Sequence, residues 1–274
     1  MSKYIESVIA STILDRHNEK LTLKTLENMV SSLNKYNIPI MIEHDPRIPP
    51  IGRVLKGYVR EREDKEFEAV ALIEFFDDTS EVENNGKELK VHDSIDQLTI
   101  GYSFSHKNES DLNEIREIEF LLNSKALYEA KKSADPISII TLTGAFILGG
   151  IASGFLNQFG ADIWDLLKPK LIRLSSKHKT NNTDDLLIFR ILIKKINFSI
   201  EVEIILTNPL GSDLDDFATN TTHKLDRILE ELISVNEDIR KIVFEQKNNS
   251  LILKYALTNN GIPLFLNKTI DSFL

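Results

Sequence analysis

One stretch limits what this chain can fold into more than any other. Residues 136–161, "PISIITLTGAFILGGIASGFLNQFGA", are 26 residues without a charge, bounded by Asp135 and Asp162. A run of this kind must leave water for a core, an oligomer interface or a bilayer. Length alone lets such a helix span a bilayer. Small residues recur at four-residue spacing (Ala145, Gly149, Ser153, and separately Gly150, Gly154), which lets helix backbones approach closely. Five of the eleven glycines lie inside the run, Lys131 and Lys132 precede it, and Trp164 follows it. The expectation is a central apolar, Gly-rich helix over 136–168, either buried in an oligomer or inserted into a membrane, with a flexible linker as the third option. Asn157 and Gln158 shorten the strictly apolar part, and neither flank carries a topogenic charge bias.

The sections on either side read as α+β. Residues 1–130 are rich in strands. Residues 4–11, 38–42, 54–59, 66–75, 97–106 and 115–122 read as strands around one helix at 22–33, where Thr22 is the N-cap and Leu23, Leu26, Met29, Val30 and Leu33 share a face. On the 66–75 strand, Phe67, Ala69, Ala71, Ile73 and Phe75 share one side and Glu66, Glu68 and Glu74 mark the other. Many strands around one helix predict a small β-barrel or an α+β sandwich. Residues 170–274 read β-β-α-β-β, with tight turns at Asn197 and at Asn248-Asn249 and a helix from Asp213 to Val235. There is no internal repeat. The domains expected are therefore 1–130, the apolar helix at 136–168, and 170–274.

Composition narrows the chemistry. The chain has no cysteine, which excludes disulfides, thiol catalysis and Cys-ligated zinc. Net charge is −9, divided as −8 over residues 1–136 and −1 over 137–274. Neither half offers the cationic footprint that phosphate backbones require, so no nucleic-acid partner is expected. No His or carboxylate spacing suggests a metal site, and no Gly-rich phosphate loop follows a strand, so no cofactor or metal is expected. The opening Met-Ser-Lys-Tyr-Ile-Glu lacks a signal-peptide layout because Glu6 interrupts any apolar run. The expected location is the cytoplasm, with membrane association through 136–161 as the variant.

Four pieces of the first section carry a resemblance. "STILDRHNEKLTLKTLENMV" at 11–30, "PIMIEHDPRIPPIGRV" at 39–54, "FEAVALIEFF" at 67–76 and "LTIGYSF" at 98–104 follow one another in the order seen in the prohead (capsid-maturation) serine proteases of tailed phages. That family shares the fold of the herpesvirus assemblins. The resemblance covers about 120 residues and implies a protease-like β-barrel, with His44 as general base. The position of the nucleophilic serine is occupied by Thr99. A hydroxyl is a poor nucleophile until a base within hydrogen-bond reach takes its proton. The extra methyl of threonine restricts χ1 and crowds the attack. Taken alone, Glu43-His44-Asp45 is also what a solvated turn looks like. Ser103 and Ser105, at even spacing after Thr99, offer a shifted nucleophile. His17, His92 and His106 are unranked third members, and Asp93 and Asp96 read as loop carboxylates.

Three functions follow. The first is a protease-like protein with an impaired site, acting as a protein-binding or sensing module coupled to the hydrophobic helix, as in antiphage defence. The second is a serine/threonine-type endopeptidase in which Thr99 attacks, His44 carries the proton and amides near Gly101 stabilise the oxyanion. The third is a prophage structural or assembly protein. Each implies a protein or peptide partner and suits a homo-oligomer.

Overall fold

The computed structural model describes residues 3–14, 20–76, 84–91, 98–129, 137–146, 151, 161–177, 184–194, 198–247 and 250–264. The chain is a mixed α+β protein with two sheets. It divides into two compact units, Met1–Lys90 with Leu257–Leu264, and Val91–Ala256 with Phe265–Leu274.

The first unit contains β1 (Lys3–Ser11), α1 (Leu23–Lys35), β2 (Tyr36–Ile40), β3 (Gly52–Glu61), β4 (Phe67–Phe75) and β5 (Glu88–Leu89). Its strand order is β1-β4-β3-β2-β5. No described pairing joins β5 to β1, so the sheet is open where a barrel was expected. Thr22 starts α1 by accepting the Thr25 amide at 3.1 Å. The helix then buries Leu26 against Ala10 and Ala69, and Leu33 against Val54, Ala71 and Ile73. Each such leucine contributes about 1.5–3 kcal/mol by leaving water. A β-carbon on Gly57 would sit 2.9 Å from Leu33 Cδ1, so glycine is what lets the helix approach β3 this closely. Gly52, in the "PIGRV" of the protease-like block, is glycine for a similar reason: a β-carbon there would strike the Glu74 carbonyl. Next to it, Arg53 lies in register with Glu74 and donates to its carboxylate at 2.8 Å, both side chains being buried. Arg53 Nη1 also donates to Asn260 O at 3.1 Å, which ties the 257–264 segment to this unit.

The second unit holds β6 (Thr99–Tyr102), α2 (Glu109–Leu122), β7 (Leu127–Tyr128), β8 (Ile137–Phe146), α3 (Ala161–Leu174), β9 (Asp184–Lys194), β10 (Ser199–Thr207), α4 (Gly211–Asp216), α5 (Thr222–Val235) and β11 (Ile239–Lys247). The strands β12 (Ser250–Thr258) and β13 (Pro263–Leu264) continue into the segment shared with the first unit. All these strands form one sheet in the order β13-β12-β11-β10-β9-β8-β6-β7. Strands from all three sequence sections therefore share a sheet, and the divisions expected near 130 and 170 do not coincide with the compact units.

Two expectations are corrected here. The apolar run is not one helix, because its first part, Ile137–Phe146, is β8. This strand pairs in parallel with β9 and antiparallel with β6. Every residue from Ile137 to Gly144 is buried. A strand covered on both faces reads as an unbroken apolar run, which periodicity cannot distinguish from a buried helix. The β-branched content of 137–143 (three Ile and two Thr) favours the strand. Among the described residues, no helix is long and apolar enough to cross a membrane. Asn157 and Gln158 lie outside the described residues.

The second correction concerns Ile115–Leu122, which is the latter half of helix α2 and not a strand. Asn108 caps that helix by accepting the Asp111 amide at 3.0 Å, and Glu109 and Asp111 occupy its first turn, where the helix dipole favours acidic groups. The expected C-terminal helix is present as α4 and α5 joined through a wider π turn at Phe217–Thr221. Asp213 accepts the Leu210 amide at its start, and Leu214, Phe217, Leu225, Ile228, Leu229 and Leu232 are all buried as expected. The turns expected at Asn197 and Asn248-Asn249 lie outside the described residues.

Candidate functional site

His44 ends a short 3-10 turn, Ile42–His44, that leaves β2. Glu43 and His44 have φ values of 49° and 55°, a left-handed conformation that costs a non-glycine residue about 1–2 kcal/mol. The imidazole is exposed, and no described residue hydrogen-bonds it. The neighbouring Asp45 faces away from this role. Its carboxylate accepts the Arg47 amide at 2.9 Å and a fork from the Arg47 guanidinium, Nε at 3.0 and 3.1 Å and Nη2 at 2.8 Å. Asp45 thus closes its own turn and does not orient His44.

Thr99 begins β6 in the other unit, opposite Thr143 of β8. Its hydroxyl has no hydrogen-bond partner among the described residues. Gly101, the expected centre of an oxyanion hole, pairs with Leu127 on one side and Thr141 on the other, so its backbone is engaged in ladders. His44 and Thr99 therefore belong to different compact units. Register carries a row across the sheet from Thr99 through Thr143 and Arg190 to Glu203. Along this face Arg190 Nε donates to Glu203 at 2.9 Å, and Lys241 reaches Glu201 at 2.7 Å and Glu203 at 2.9 Å. Burial alone would raise the Glu203 carboxyl, but Lys241 and Arg190 more than offset it and hold the group below the ordinary glutamate range. Burial alone would lower Arg190 and Lys241, and the facing glutamates hold both cations above their ordinary values. These groups are a structural ion cluster, each charge answered by its neighbours.

What the second unit does bring together is a chain of hydroxyls ending on a histidine and an aspartate. Ser103 and Ser105 hydroxyls are 2.9 Å apart, and Ser105 Oγ donates to Ser138 Oγ at 2.9 Å. Ser138 Oγ lies 2.7 Å from His106 Nε2, and His106 Nδ1 lies 2.9 Å from Asp111 Oδ2. Lys177 Nζ donates to Asp111 Oδ1 at 2.7 Å. Relative exposure is 4% at Ser138 and 0% at His106 and Asp111. Local structure places each group. Ser103 precedes the 3-10 turn Phe104–His106, α2 presents Asp111 from its first turn, and β8 contributes Ser138.

The directions of these bonds follow from chemistry. An aspartate paired with a lysine accepts only, so Nδ1 of His106 carries a proton. In the neutral ring Nε2 is then the acceptor for the Ser138 hydroxyl. Ser103 Oγ already accepts the Ile139 amide at 2.9 Å, so its own proton is available to Ser105. The result is a one-way sequence, Ser103 to Ser105 to Ser138 to His106 to Asp111. A serine hydroxyl on a histidine oriented by an aspartate is the geometry that activates hydroxyls elsewhere.

His106 was among the expected third members, and Ser103 and Ser105 were the alternative hydroxyls. Ser138 and Asp111 were missed. The signal for Asp111 was the Asn108 cap with an acidic first turn. For Ser138 it was a lone polar residue near the start of an apolar β-branched run. His17, His92, Asp93 and Asp96 lie outside the described residues. No group of His, Cys, Asp or Glu among the described residues could hold a metal ion.

A second feature of this unit is an apolar groove of about 310 Å³ between α2 and α3, lined by Arg116, Glu117, Phe120, Leu121, Leu166 and Lys170. Phe120 is 85% exposed and Leu166 55% exposed.

No protein family, curated protein or solved structure matches this chain, so the likeness to prohead proteases rests on its four motifs alone.

Proposed function

We propose that this chain is a protein-binding module, protease-like in the plan of its first section but without peptidase action through His44 and Thr99, and that it assembles with a second copy through the α2–α3 groove. The observation that carries the reading is Phe120, an aromatic side chain 85% exposed beside Leu166 at an apolar groove. Large apolar side chains clustered in the open mark contact surfaces more often than isolated ones do. A second copy fits because the rim carries both signs. Arg116 and Lys170 stand beside Glu117, and a two-fold contact needs such a self-complementary patch. Against peptidase action through His44 stands the Arg47 fork on Asp45, which takes the neighbouring carboxylate away from the ring.

Sedimentation over a range of concentrations tests the assembly. Wild type associates, and Phe120→Glu shifts it to monomer with an unchanged circular dichroism spectrum. A wild type that stays monomeric, or a variant that associates equally, contradicts the reading. Cleavage of an unstructured protein substrate that His44→Ala abolishes contradicts its non-catalytic part.

A further inference from the structure

The hydroxyl chain in the second unit is open at one of its members, Ser105. Ser138, His106 and Asp111 are sealed, whereas Ser105 is only half-buried. We infer that Ser105 is a nucleophile for acyl or phosphonyl groups, with Ser138 passing its proton to His106, a site independent of His44 and Thr99.

A lock that merely fixed α2 to β8 would need only the bonds from Ser138 to His106 and from His106 to Asp111. The chain continues past them. Ser105 Oγ donates to Ser138 at 2.9 Å, and the Ser103 hydroxyl, 2.9 Å away, donates to Ser105. When Ser105 gives up its proton, the Ser103 donor stabilises the oxygen that remains, as charge-directed hydrogen bonds do. His106 is oriented for this by Asp111, whose other carboxylate oxygen accepts from Lys177.

The step balances with an ester as substrate. Ser105 Oγ forms a bond to the carbonyl carbon while its proton moves to Ser138 Oγ, and the Ser138 proton moves to His106 Nε2. The carbonyl electron pair moves to oxygen and returns as the C–O bond to the alcohol breaks. The alkoxide takes a proton back along the same path. Water then repeats the sequence, releasing the acid and restoring the Ser105 hydroxyl. Substrates are small activated esters, because the nucleophile is half-buried. Ser105 is the catalytic residue, and Ser138 and His106 act through it as positioning and proton-relay residues.

A fluorophosphonate tests the assignment with the full chain. Its phosphorus takes the Ser105 oxygen, fluoride leaves, and the proton follows the relay to His106. The expected result is a single adduct on Ser105 by peptide mass spectrometry. Ser138→Ala and His106→Gln slow labelling by about 10²-fold or more, as loss of a general base does. Labelling of wild type accelerates with rising pH, and His106→Gln, checked for its native circular dichroism spectrum, loses that dependence. A structural lock predicts no such profile. No adduct on the folded wild type overturns the proposal, as does an adduct on another residue or an unchanged rate in folded His106→Gln. None of these outcomes bears on groove-mediated assembly.

Discussion

His44 and His106 each stand within a few residues of an aspartate, and the chain treats them in opposite ways. His44 follows β2 in an exposed turn with positive φ, and Asp45 spends its carboxylate on Arg47. His106 is fully buried at the end of a 3-10 turn, with Asp111 on one ring nitrogen and Ser138 on the other. The resemblance to a protease family pointed at the first histidine, yet the arrangement that can move a proton formed around the second. Sequence adjacency brings a carboxylate near a ring, but only packing decides where its oxygens point.

Substitutions can break this comparison, and the largest effect is expected at Asp111. Asp111→Ala leaves a buried imidazole and Lys177 without their acceptor and costs about 3–5 kcal/mol in urea unfolding. Asp45→Ala, at a turn near the surface, costs about 1 kcal/mol. Equal losses at the two sites would erase the distinction.

A smaller effect is expected from acid. The folded-state pKa of Glu203 lies below its unfolded value, so its contribution is complete above the ordinary glutamate range and is lost as pH falls through the lower folded value. Stability in urea should therefore fall with acid, and Glu203→Gln should flatten that dependence. The smallest effect is a gain. His44→Gly relieves a left-handed residue and stabilises the chain by about 0.5–1 kcal/mol. A loss there would mean that the ring makes contacts of its own.

Much of the fold was legible because local rules agreed with tertiary structure. Thr22 capped α1, Leu26 and Leu33 marked its buried face, and the β-β-α-β-β order of the last section followed from β-branched runs and one amphipathic segment. The failures have physical causes. In 137–144, burial on both faces removed the period that separates strand from helix, while Gly149, Gly150, Ser153 and Gly154 of the small-residue ladder lie outside the described residues. In 108–122, the Asn108 cap and acidic first turn marked a helix, but the apolar residues of 115–122 read as a strand. The candidate site was legible only in parts. His106, Ser103 and Ser105 stood out as polar groups near the expected nucleophile strand. Ser138 lies 32 residues beyond His106 and meets it only because β8 pairs beside β6.

The state of the two rings can be read in one long-range proton–nitrogen spectrum of the histidine side chains. The account predicts that His106 is a single Nδ1–H tautomer with a slowly exchanging ring proton, and that the His44 ring proton exchanges freely with water. An Nε2–H tautomer at His106, or a His106 ring proton that exchanges as fast as that of His44, would contradict it.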